Sequence, residues 1–150
     1  MDTSDIAQFM PHAGPMRWLD RIAGYGDNWL EADTTIRADD PLANELGVGA
    51  WAGIEYMAQA IGAYAGLRAR MRGEPVQLGF LVGTRRYDSR WSLFPTGTRL
   101  RIRVAHDYSA DNGLAVFSCR ISCEEEEVAT AMLSVFQPSD PKVFLQGESA

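Results

Sequence analysis

Residues 51–66 read WAGIEYMAQAIGAYAG, an almost wholly apolar or small-residue run that nevertheless carries Glu55 and Gln59, four residues apart. The pattern predicts a helix from about Trp51 to Met71. Trp51, Ile54, Tyr56, Met57, Ile61, Tyr64 and Leu67 spread round most of its circumference, so the helix is expected at the centre of the fold, wrapped by a sheet. Ala58, Gly62, Ala65 and Gly66 would let other backbone come close, and Gly73 and Pro75 end the helix. A carboxylate in such a setting needs a reason. Burying an unpaired charge is costly, so Glu55 is expected to be paired, protonated or used.

Upstream, TSDIAQFMP carries a helix-start signal and stops before Pro11, which predicts a short helix. PHAGPMRWLDRI opens as a Pro/Gly turn and runs into a first strand ending near Tyr25. NWLEADTTIRA alternates as a second strand, and DDPLANELGVGA reads as a loop. Downstream lie four strand-like runs, VQLGFLVGTRRYDSRW, TRLRIRVAHDY, LAVFSCRISC and VATAMLSVFQ. FPTGT, SADNG and the acidic EEEE separate them. DNG is a hairpin signal, and the four glutamates read as a solvated turn. Strand, strand, long apolar helix and four antiparallel strands make an α+β layout, one sheet packed on one helix. Residues 1–137 are expected to form a single domain, with 138–150 a loosely docked tail.

The length of 150 residues suits one domain with a sizeable core. No basic segment followed by an apolar run opens the chain, so no signal peptide is expected. Residues 50–69 are long enough for a membrane span, but Glu55, Gln59 and the small residues argue against one, which makes the cytoplasm the default location. Cys119 and Cys123 would share one strand face with Phe117 and Ile121, too far apart for a disulfide. They are expected to be buried thiols, and no Cys/His cluster suggests a metal. The net charge of −6 argues against nucleic acid as the main partner. Its distribution is uneven: nine arginines between Arg68 and Arg103 face only Glu74 and Asp88, about +7 against about −13 elsewhere. Such a zone could receive an acidic partner, or it could be solvated arginines on strand edges and a helix end.

The ordered motifs resemble a known family. A curled sheet round a central helix is the hot-dog fold, and the motifs are similar to those of 3-hydroxyacyl-(acyl carrier protein) dehydratases of fatty acid synthesis. PHAGPMRWLDRI resembles that family's LPHRxPFLLVDRV. GIEYMAQAIGAYAG resembles its xxEAxAQAxG helix, and GFLVGTRRYDSRWSLFPTGTRLRI its xFLxGIxxxRFxxPVxPGDxLxx strand pair. The combination of PHxxPM with GIEYMAQA resembles the divergent dehydratases of aryl-polyene-type biosynthesis. The common dehydratases carry a catalytic histidine in a GHFPGxPxxPG loop before the helix. Here that loop reads DDPLANELGVGAWAG and has none; the chain's histidines are His12 and His106.

The resemblance implies catalytic roles for His12 and Glu55. Physically, Glu55 lies near a helix N-terminus, which tolerates negative charge. A partly desolvated carboxylate there can act as an acid, and an imidazole is the natural base near pH 7. The bland readings are a Glu55 that caps the helix or pairs with an arginine, and a His12 that holds a turn. Gln59, one turn on, is expected to support Glu55 or the backbone, and His106 to be a surface histidine. Amides of the first turn, Ala50 to Gly53, can bind an oxyanion; the family's amide matches Ala50. Gly79 and Phe80 would add a wall or a further amide.

These residues imply a dehydratase acting on a 3-hydroxyacyl thioester carried by acyl carrier protein. The acyl chain would lie in a tunnel lined by Met57, Ile61, Phe80 and Leu81. No metal or nucleotide cofactor is expected, and the phosphopantetheine arm would belong to the carrier. A homodimer or higher oligomer would cover an exposed strand edge. The alternatives are a hot-dog acyl-thioesterase with Glu55 activating water, and a non-catalytic acyl-binding protein.

Overall fold

Alternation along LRIRV puts Leu100, Ile102 and Val104 on one side of a strand and the intervening arginines on the other, and this pattern builds the sheet. The computed structural model describes residues 19–40, 43–74, 80–110 and 112–136, with backbone only for 80–82. The elements are β1 (Arg21–Tyr25), β2 (Trp29–Thr35), β3 (Gly47–Gly49), α1 (Gly53–Met71), β4 (Phe80–Ser89), β5 (Leu93–Pro95), β6 (Arg99–Ser109), β7 (Leu114–Cys123) and β8 (Glu126–Phe136). A six-stranded antiparallel sheet runs β1-β2-β6-β7-β8-β4, and β3 pairs with β5 in a two-stranded ribbon. The expected hot-dog architecture is the one observed.

Register explains the core. Ala32, Ile102, Ile121 and Ala129 lie opposite one another across four strands, as do Leu30, Val104, Cys119 and Ala131. All eight are buried and belong to the core cluster that includes Tyr56, Met57, Ala60, Ile61, Ala63, Tyr64 and Leu67 of α1. Burying a large apolar side chain of this kind contributes about 1.5–3 kcal/mol. Cys119 shares the inner face as expected, whereas Cys123 is half-buried.

The structure corrects several expectations. α1 begins at Gly53, and Trp51 belongs to a preceding 3₁₀ turn, Ala50–Ala52. The loop 39–50 contains β3, and part of FPTGT is β5. The acidic run divides: Glu124 and Glu125 form the turn with φ of 50° and 69°, while Glu126 and Glu127 enter β8. α1 is not wrapped on every side. Ile54, Ala58, Gly62 and Ala65 form a half-buried strip, and a Cβ at Gly62 would meet nothing within 4 Å. Of the small residues that suggested close backbone approach, Ala58, Gly62 and Ala65 lie on this open side, and Gly66 is buried. The short helix before Pro11 and the tail from 138 lie outside the described residues.

On the outer face, Asp33 is 3% exposed beneath Arg21, Arg99 and Arg101, at 2.7, 3.4 and 2.9 Å. Glu31 accepts from Arg103 at 2.7 Å, and that guanidinium lies 4.3 Å from the Trp29 ring centroid. Arg86 pairs with Asp88 and Arg90 with Glu126. Within the basic zone, Arg86, Arg90, Arg99, Arg101 and Arg103 are therefore ion-paired with described residues.

Candidate active site

The start of α1 is held from both sides. The Gly49 backbone pairs with Leu93 in the β3–β5 ribbon, and the Ala50 N–H donates to the Ser92 carbonyl at 3.0 Å. The Ala50 carbonyl accepts two donors, the Gly53 N–H and the Tyr87 hydroxyl. Tyr87 comes from β4, at the sheet edge, where it lies opposite Ala131 of β8. Gly53 is required at this contact, because a Cβ there would collide with the Tyr87 hydroxyl and press on Ile121. Burial pushes the Tyr87 phenol above its ordinary value, with Ser89 acting weakly the other way, so it stays a neutral donor. Just upstream, the Asn44 side-chain oxygen accepts from the Leu46 and Gly47 amides at 2.8 and 3.1 Å, which shapes the loop entering β3.

Glu55 follows one turn later and is exposed in the single chain. This corrects the expectation of a carboxylate sunk in the core. Position 55 falls on the open side of α1, and the apolar residues that implied burial face the sheet. Trp51, four residues earlier, is 61% exposed. Gln59 is 2% exposed and Gly53 is buried, so both belong to the packed base of the site. Tyr56 is wholly buried. Burial first, and the Asp40 carboxylate second, push its phenol well up, so it too stays protonated.

The structure therefore brings Ala50, Gly53, Glu55 and Gln59 to one end of α1. The Ala50 N–H, expected as an oxyanion donor, donates to the Ser92 carbonyl in this structure. His12 and Gly79 lie outside the described residues. The Phe80 backbone pairs with Phe136, while the side chains of Phe80 and Leu81 are outside the description. Met57 and Ile61, named for the tunnel, are packed in the core.

His106 sits elsewhere. Its ring centroid is 6.2 Å from that of Tyr64 and 5.1 Å from that of Phe117, and its Nε2 is 2.6 Å from Ser109 Oγ. It is half-buried rather than a plain surface residue. Tyr64 lies nine residues beyond Glu55, about 13 Å along the helix axis, so His106 does not serve the helix start. Sequence reasoning missed Tyr87 and Ser92. The one signal was Gly53, a glycine at the head of an otherwise helix-favouring run.

Comparison with known proteins decides the family. The description "ApeP-like: ApeP dehydratase" matches residues 4–146. The chain belongs to the ApeP-like dehydratase family. Among solved structures, the dehydratase heterocomplex ApeI:P from Xenorhabdus doucetiae matches at 27% identity and a TM-score of 0.85, covering 94% of this chain and 95% of that one. A hypothetical thioesterase with coenzyme A from Streptococcus pneumoniae TIGR4 matches at 13% identity and a TM-score of 0.58, over 77% and 83% of the two chains. The PaaI protein of the Escherichia coli phenylacetic acid degradation operon matches at 11% and 0.61, over 77% and 80%. The last two show the shared hot-dog fold alone. Among curated proteins, none matches. The ApeP-like assignment makes this chain an enzyme of the dehydratase type. Among its described residues no helix is long and apolar enough to cross a membrane, and no three His, Cys, Asp or Glu side chains group as metal ligands.

Proposed function

We propose that this ApeP-like protein removes water from a 3-hydroxyacyl thioester carried on acyl carrier protein. The observation that carries the reading is the presence of Glu55 on the open side of α1, one turn from a helix start locked by Tyr87 and Ser92. His12 takes the proton from the carbon next to the thioester carbonyl. Glu55 protonates the departing hydroxyl, and a helix-start amide stabilises the enolate-like oxygen. His106 is held against Tyr64 and Phe117, which leaves His12 as the imidazole for this role.

Glu55, Trp51 and the Ile54–Ala65 strip need cover to form a water-excluding site. We assign that cover to a second hot-dog subunit, a copy of this chain or a related one, by analogy with the heterocomplex that shares its fold. The carrier protein would dock beside Arg85, Arg86 and Arg90 on and after β4, next to Tyr87. The cytoplasm is the compartment such carriers imply.

The test is to incubate the purified chain with 3-hydroxyacyl and simple acyl thioesters of acyl carrier protein. Enoyl absorbance without free thiol supports dehydration. Release of free thiol sinks it in favour of hydrolysis by Glu55-activated water, the reading favoured by the histidine-free loop before α1. Light scattering of the same sample reports whether one chain or two are present.

A further inference from the structure

Near its C-terminal end β6 carries an extra residue relative to β7. His106 lies opposite Phe117 and Tyr108 opposite Val116, so Asp107 is the extra residue of a bulge, and Ser109 then lies opposite Ala115. In a regular strand, residues three apart point to opposite faces. Here Phe117 and Ala115 share a face of β7, and His106 and Ser109 share the matching face of β6. Their Nε2 and Oγ atoms are 2.6 Å apart. On the other face the Asp107 carboxylate accepts from the Ser118 hydroxyl at 2.5 Å, which pins the bulge. Bulges re-aim side chains in this way and are over-represented beside active sites. The pair they make here is a held base next to an accessible nucleophile. The His106 backbone N–H donates to the Asn28 carbonyl at 2.7 Å, and the half-buried ring is braced by Phe117 and Tyr64. Ser109 is exposed, and the residue opposite it, Ala115, is small and half-buried. The proposed dehydration uses neither His106 nor Ser109.

We infer that Ser109 is an acylation site, with His106 as its base and a small activated ester or thioester as the acyl donor. With the imidazole proton on Nδ1, the Ser109 hydroxyl donates to Nε2. Oγ attacks the carbonyl carbon of the donor while Nε2 takes the hydroxyl proton. The bond from that carbon to the leaving oxygen or sulfur breaks, the leaving atom keeps the electron pair, and His106 passes the proton to it or to water. The product is an ester on Ser109. Attack by water on that ester, again with His106 as base, releases the carboxylic acid and restores the hydroxyl. The site is separate from Glu55 and stands whichever reaction occurs there.

Two measurements on the full chain test the inference. In the first, the chain is incubated with p-nitrophenyl acetate or with acetyl-pantetheine, and peptide mass spectrometry locates the acetyl group. Ser109 is labelled ahead of every other serine, and the ester gives a burst of nitrophenolate that Ser109→Ala abolishes. His106→Gln slows the labelling about 100-fold, the scale of a lost general base. A burst that survives Ser109→Ala makes the imidazole itself the nucleophile and overturns the inference. Failure of both donors to label Ser109 also overturns it. The second measurement needs no variant, since His106 packs against two rings and its replacement could unfold that end of the sheet. The unaltered chain is labelled folded and in urea. Unfolding separates the imidazole from the hydroxyl, so the preference for Ser109 disappears in urea. Equal labelling of Ser109 in the two conditions, or acetyl groups spread evenly over the serines of the folded chain, overturns the inference.

Discussion

Arg101 holds both oxygens of Asp33, donating from Nε at 2.9 Å and from an Nη at 3.3 Å. Burial alone would raise the Asp33 pKa. The Arg101 hydrogen bonds and charge, followed by Arg21, outweigh it and hold the carboxyl below the usual range. A lowered folded-state pKa means stability that is fully present above the ordinary carboxylate value and lost as pH falls through the folded one. Asp33→Asn should therefore destabilise the protein by about 1–3 kcal/mol at pH 7, the range for hydrogen bonds to charged groups. The deficit should shrink as pH falls below about 4. Urea melts of both proteins at pH 7 and at acid pH check this; a deficit independent of pH would mean that packing, not charge, is at stake.

Glu55 is exposed and sits on the open side of α1, so little packing among the described residues should depend on its side chain. Glu55→Gln should leave the melting temperature within about a degree and lower kcat about 100-fold or more, the usual scale of a general acid. Steady-state kinetics beside a thermal melt separates the outcomes. A stability loss with activity retained would make Glu55 structural.

Glu124 and Glu125 both adopt the left-handed conformation in the β7–β8 turn, which costs an ordinary residue about 1–2 kcal/mol. Replacing them by Asn and Gly, the pair such two-residue turns favour, should raise stability by about 1 kcal/mol or more. Denaturant midpoints measure the change, and a midpoint that falls would mean that the glutamates make compensating contacts.

The Cys119 thiol is pushed up to about 12, by burial first and the Asp107 charge second. It should resist a thiol reagent at pH 8 for as long as the chain stays folded. Cys123 is less buried, its thiol also raised by burial and by Glu124 and Glu126, so it should react first. Mass spectrometry of the labelled peptides decides the order.

The central helix and the strand order could be read from residue pattern because each element is long enough to show its period. β3 and β5 have three residues each, too few for alternation to register, and their ribbon fixes the helix start. Glu55 was misjudged because small residues count as apolar on a helical wheel whether or not anything covers them. Tyr87, Ser92 and Ala50 meet across the fold, and only strand register reveals that. Strand pairing also explains the arginines. Arg99, Arg101 and Arg103 form a basic run in the chain, yet β2 lays Asp33 and Glu31 against them.

The paired arginines bear on encounter kinetics. With Asp33, Glu31, Asp88 and Glu126 each shadowing a guanidinium, little of the positive charge of these five arginines projects beyond the first layers of solvent. Capture of an acidic macromolecule on that part of the sheet would then depend on shape and contact at close range more than on attraction from afar. Its association rate should vary only gently with ionic strength.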